Sequence, residues 1–64
     1  MEKYVLHDGN KIIDMADTKK EIIEKEKMSK IFRRMVGLEP LQMALAHLDD
    51  KDYEDYLQGE LYIS

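Results

Sequence analysis

The 64-residue sequence predicts a small α+β domain, mostly helical, and three observations lead to that class. Two apolar runs near the start flank an Asp-Gly-Asn turn, which is typical of a hairpin. A long amphipathic segment follows a helix-capping pattern. After Pro40, apolar residues recur at helical spacing. The expected elements are a β-hairpin at about 3–15, a long helix at about 18–36, two short helices at about 40–48 and 50–58, and a short strand as a further candidate at the C-terminus.

The length allows one domain, spanning 1–64, and lies near the lower limit for independent folding. Such chains need a further source of stability. The sequence has no cysteine, which excludes disulfides and thiolate metal sites. Helix packing and self-association remain, so we expect a homo-oligomer, most simply a dimer.

The composition, 44% hydrophobic and 38% charged, is that of a globular protein rather than a disordered one. No apolar run has the length of a membrane span, and the first ten residues carry charges and a turn where a signal peptide would be apolar. We therefore expect a cytoplasmic protein without a membrane partner.

The hairpin at 3–15 depends on the turn sequence, since Asp, Gly and Asn tolerate the backbone angles of tight turns. With Gly9 and Asn10 as a two-residue loop, Asp8 lies opposite Lys11. Leu6 then lies opposite Ile13. This register gathers the most apolar side chains on one face, namely Tyr4, Leu6, Ile13 and Met15.

The long helix is predicted to begin at Thr18, with Glu21 completing the spacing of a capping box, and to end before Gly37. An apolar stripe runs along it. Amphipathic helices usually bury such a face, so we expect it in the core, although so small a chain could leave part of it as an interface. The stripe consists of Ile22, Met28, Ile31, Phe32, Met35 and Val36.

Two shorter helices are predicted after Pro40, which suits a first helical position. The first has apolar residues at i, i+3, i+4 and i+7, from Leu41 to Leu48. Asp49 or Asp50 caps the second, and Gly59 ends it. Residues 60–63 could then form the last strand, added to the hairpin, or an arm on a second subunit.

Charge divides the chain into a basic front and an acidic back. Residues 1–37 carry nine Lys and Arg against seven Asp and Glu, whereas residues 38–64 carry one lysine against seven acids. Such an asymmetry favours head-to-tail contacts or two different partners.

The sequence gives little support for catalysis or metal binding. A calcium loop starting at Asp50 would place Asp55 where glycine is needed and Leu61 where a glutamate is needed. His7 and His47 are the only histidines, each beside a turn or helix end, where histidine and aspartate are common. We therefore predict no enzyme, no catalytic residues, no metal and no cofactor.

The preferred function is a non-catalytic protein-binding module: a small regulator or inhibitor, of the kind that phages also encode. Tyrosine among carboxylates suits a surface for a basic partner. The candidate contacts are Asp49, Asp50, Asp52, Tyr53, Glu54, Asp55 and Tyr56. The opposed charges and the apolar tail 61–63 support an alternative, a self-assembling subunit of a virion or scaffold.

A second alternative is nucleic-acid binding. Residues 29–48, with apolar positions around Gly37, resemble a helix-turn-helix at the level of pattern. The second helix would be the reader, yet it has no Lys or Arg for phosphates or guanine, which makes this the weaker alternative. Any contact would use the basic residues of the preceding helix, Lys27, Lys30, Arg33 and Arg34.

Overall fold

A computed structural model describes residues 1–63 and confirms the α+β class, as a three-stranded antiparallel sheet with one long and one short helix. Ser64, included in the single domain expected from the sequence, lies outside the described residues. Neither helix within 1–63 combines the length and apolarity needed to cross a membrane. In chain order the elements are β1 (Glu2–His7), β2 (Ile12–Ala16), α1 (Lys19–Met35), β3 (Gln42–His47) and α2 (Asp50–Leu57).

The sheet has the strand order β2-β1-β3, with the first strand in the centre. Adjacent side chains of β1 point to opposite faces, and each face has its own core. Leu6 packs with Ile22 of α1, whereas Val5 packs in the cluster that Tyr56 of α2 joins. The sheet is therefore a middle layer between the two helices. The buried residues are Leu6, Ala16, Ile22 and Leu41 on the α1 face, and Val5, Ile12, Met15, Leu48 and Leu61 on the α2 face.

The helix predicted at 40–48 is wrong, because residues 42–47 form strand β3 beside β1. Leu41 and Leu48, seven residues apart, would share one face of a helix. The structure instead buries them in clusters on opposite faces of the sheet. Pairing with β1 thus overrides a spacing that both helix and strand satisfy. The description "mostly helical" with two short helices is accordingly imprecise, and 29–48 is no helix-turn-helix.

The hairpin forms with a different register from the predicted one. The backbone N–H of Asp8 donates to the carbonyl of Lys11 at 3.3 Å, as expected. A β-bulge between Leu6 and His7 then shifts the pairing, so that Leu6 lies opposite Asp14 rather than Ile13. The pairing of Leu6 with Ile13 was wrong because the core has two faces: the shift leaves Ile13 exposed and Met15 buried.

Both helices begin at a predicted N-cap residue, but within residues 1–63 the reciprocal bond of a capping box is present only at α2 and not between Glu21 and Thr18. Thr18 Oγ1 accepts the backbone N–H of Glu21 at 3.2 Å, and α1 begins at the next residue. The predicted third helix, 50–58, corresponds to α2. The tail lies beside the hairpin as a single bridge rather than a strand, with Ile12 N–H donating to Leu61 O at 2.9 Å.

Candidate interaction surfaces

The first surface is α2 with its acidic residues, and two of its carboxylates serve the helix itself. Asp49 Oδ1 accepts the N–H of Asp52 at 2.8 Å, and Asp52 Oδ2 accepts the N–H of Asp49 at 3.0 Å. The hydrogen bond from Asp52 holds the pKa of Asp49 below its usual value. This reciprocal cap explains part of the acidic cluster without any partner.

The two tyrosines of α2 have different environments. Tyr56 is half-buried against the core, and its hydroxyl donates to Asp14 Oδ1 at 3.3 Å. Burial raises the pKa of Tyr56, and the nearby Asp14 charge adds to the effect. Tyr53 is 48% exposed. Of the seven predicted contact residues, Asp50, Tyr53 and Glu54 are exposed without a structural task of their own.

Asp14, on the outer strand β2, joins the three layers. Its Oδ1 accepts from Lys25 Nζ of α1 at 3.0 Å as well as from Tyr56 of α2. Lys25 also donates to the carbonyl of Met15 at 3.0 Å. The hydrogen bond from Asp14 raises the pKa of Lys25. This polar junction orients both helices.

The second surface is a row of apolar side chains on α1 that face solvent. The helix turns Ile22, Glu26, Ser29 and Arg33 toward the sheet, and of these only Ile22 is fully buried. The core location expected for the apolar residues beyond Ile22 is therefore wrong. We call four of them the α1 stripe: Met28 (74% exposed), Ile31 (64%), Phe32 (63%) and Met35 (80%).

Basic residues border the α1 stripe. Residues 27–36 contain four Lys and Arg and no acid: Lys27, Lys30, Arg33 and Arg34. Arg33 is half-buried, and its Nε donates to the carbonyl of Glu39 at 2.6 Å. The other three are exposed. Three residues of the predicted basic patch thus share a surface with the stripe, on the face of the sheet opposite α2, whereas Arg33 is turned toward the sheet.

The third surface is the outer edge of β3, which the sequence reasoning missed because it predicted a helix there. β3 pairs with β1 on one side, and within residues 1–63 no strand pairs with its other side. Its sequence, QMALAH, has no Asp, Glu, Lys, Arg, Gly or Pro. An uncharged run bounded by Pro40 and two aspartates was the available signal for a strand.

The two histidines lie far apart in the fold. His7 and His47 lie at opposite ends of the paired strands β1 and β3. His7 Nδ1 accepts the N–H of Gly9 at 3.1 Å, a contact within the turn. Among residues 1–63, no three His, Asp or Glu side chains are grouped to hold a metal ion.

No protein-family model matches the chain, and no curated protein or solved structure does either. The molecule has three candidate interaction surfaces, namely the acidic helix α2, the α1 stripe and the outer edge of β3.

Proposed function

We propose that this chain is a non-catalytic protein-binding module, which acts by occupying the surface of a partner protein through the α1 stripe. The observation that supports the proposal is the direction of α1 beyond its first turn: the α1 stripe lies 63–80% exposed while Glu26 and Ser29 are turned toward the sheet. A helix that serves only the core of its own domain has the opposite arrangement.

The size of the exposed area favours an interface. Burying one such side chain is worth about 1.5–3 kcal/mol. The four together expose on the order of 400 Å², comparable to the largest apolar patch of a typical monomer, which is often functional. A standard interface buries about 800 Å² per partner, so the partner must also enclose the flanks of the helix, as a groove does.

The charge around the stripe defines the partner further. Lys27, Lys30 and Arg34 are exposed and residues 27–36 contain no acid, so the stripe fits an apolar groove with an acidic rim. Opposite charge would speed association and fix its orientation. Nucleic acid would satisfy the basic residues, but its phosphates offer nothing to Met28, Phe32 or Met35, and we therefore favour a protein.

The test is a tagged capture from lysate of the native host, with and without nuclease, using the wild-type chain and two double variants. The stripe variant carries Phe32→Gln and Met35→Gln, since glutamine is polar and a good helix former. The matched control carries Tyr53→Gln and Leu57→Gln, two exposed residues of α2. We expect wild type and control to retain the same protein. The amount of that protein captured by the stripe variant should be lower by at least about tenfold.

Three results would contradict the proposal. If only the α2 variant fails to capture the partner, the contact surface is the acidic helix and not the α1 stripe. Capture that disappears with nuclease, and with Lys30→Gln and Arg34→Gln, would make the basic residues a nucleic-acid contact. Equal capture by all three forms would exclude both helices as the contact.

A further inference from the structure

We propose that β3 pairs with β3 of a second copy of this chain, antiparallel and across a two-fold axis at Ala44, to form one continuous sheet. The proposal concerns a different surface from the α1 stripe, and it does not rest on the proposed function. Three observations support it: free backbone groups, an unprotected edge and a self-complementary sequence.

One pair of hydrogen bonds between Met1 and Leu48 determines which backbone groups of β3 face the open edge. Leu48 N–H donates to Met1 O at 2.7 Å, and the Met1 amino group donates to Leu48 O at 2.9 Å. Bonded and non-bonded pairs alternate along antiparallel strands, so Ala46 and Ala44 also face β1. The N–H and C=O groups of Met43, Leu45 and His47 consequently point to the open edge, where no strand of the described residues meets them.

The two edges of the sheet differ in protection. The edge at β2 carries a bulge and receives the tail, which accepts the Ile12 N–H through Leu61 O. β3 pairs with β1 over six residues without a bulge and has no charged side chain. Monomeric proteins normally block such an edge with charge, proline, a bulge or a covering segment.

The sequence of β3 is suited to pairing with itself. A two-fold axis at Ala44 places Met43 of each copy opposite Leu45 of the other, so outward N–H and C=O groups meet outward groups. Both side chains lie on the α1 face of the sheet, opposite Leu6 and Tyr4 of β1. Leu45 is 57% exposed in the single chain, and pairing would cover it with an apolar neighbour.

The contact area limits the strength of the dimer. Six residues span roughly 20 Å of edge, which covers much less than the ~800 Å² per partner of a stable interface. The dimer should accordingly be reversible, with a dissociation constant on the order of 10–100 µM. Its population is then set by protein concentration.

Hydrogen exchange of the wild-type chain by NMR tests the pairing without any substitution. Amides should be compared at about 20 µM and about 1 mM, between which the monomer fraction falls severalfold for any dissociation constant in the expected range. We expect exchange at Met43, Leu45 and His47 to slow about fivefold at the higher concentration, as the monomer is depleted. Ala44 and Ala46 should not change, since β1 protects them in both states. Equal rates throughout, or slowing that does not alternate, would overturn the proposal.

A synthetic chain with N-methylated Leu45 provides the second test, read by sedimentation equilibrium. The methyl group removes an outward N–H without touching the β1 ladder, so the chain should stay folded and monomeric. The unmethylated synthetic chain, which keeps both the N–H and the Leu45 side chain, is the matched control and should dimerise. Dimerisation of the methylated chain would refute edge pairing, and unfolding would refute the outward direction of that N–H.

The stripe variant with Phe32→Gln and Met35→Gln separates this proposal from the proposed function. It should dimerise like wild type while losing the captured partner. Loss of self-association in that variant would assign the dimer to α1 and overturn the β3 pairing. Loss of partner capture with intact dimers would leave both proposals standing.

Discussion

The two helices differ in which side chains they turn toward the sheet. α2 turns Tyr56 toward the core and leaves Asp50 and Glu54 in solvent. α1, beyond Ile22, turns Glu26 toward the sheet and leaves the α1 stripe in solvent. Amphipathic spacing therefore indicates that a helix has an apolar face, but not which molecule covers that face. The contrast predicts which substitutions cost stability and which cost only binding.

The largest expected effect lies within α1. Ile22→Ala should lower the free energy of unfolding by about 2–5 kcal/mol, because Ile22 is fully buried and its loss leaves a cavity. Phe32→Ala should change it by less than about 0.5 kcal/mol, since the ring is exposed and alanine favours helix. Urea denaturation of both variants measures the difference. A large cost for Phe32→Ala would mean that the stripe is packed after all.

The next effect separates the tyrosines of α2. Tyr56→Ser should cost about 1–2 kcal/mol, because it removes a half-buried ring and the hydrogen bond to Asp14. Tyr53→Ser, which removes a more exposed ring, should cost under about 0.5 kcal/mol. Thermal denaturation followed by circular dichroism measures both. Equal losses of stability in the two variants would mean that Tyr56 is no more important for packing than Tyr53.

A smaller effect concerns acid. The pKa of Asp49 is lowered by the N–H of Asp52, and that of Asp8 by the N–H of Lys11. Such groups stabilise the fold above their ordinary value of 3.8, and that contribution is lost as pH falls through the lower folded pKa. Asp8→Asn with Asp49→Asn should flatten the loss of stability below about pH 4. If the double variant loses stability at low pH as wild type does, neither carboxylate is responsible for that loss.

The smallest effect lies at alkaline pH. Burial raises the pKa of Tyr56 above its ordinary 10.0, so the fold binds this proton more tightly than the unfolded chain. The contribution is present below pH 10.0 and is lost as pH rises through the folded pKa. Tyr56→Phe should therefore make stability less dependent on pH above that value. Ultraviolet titration of the phenols, with Tyr53→Phe as control, checks the assignment.

Local chemistry could be predicted from the sequence, and partner choice could not. The side chains of Thr18 and Asp49 cap helices through atoms a few residues away, and the Asp-Gly-Asn turn is equally local. Residues 40–48 fit helix and strand alike, and only the distant β1 decides between them. The direction of the stripe depends on how Ile22 seats α1 on the sheet. Among the predicted contacts, Tyr56 could not be distinguished from Tyr53 without the position of Asp14.

The central position of β1 has a consequence for folding kinetics. The first strand meets β2 across a short turn, but it meets β3 only after the long intervening helix has brought the chain back. Local contacts form quickly, whereas closing a long loop costs chain entropy before the contacts that it allows can stabilise the chain. Return of β3 should thus set the folding rate, and substitutions in β3 should slow folding, while those in α2 should mainly accelerate unfolding.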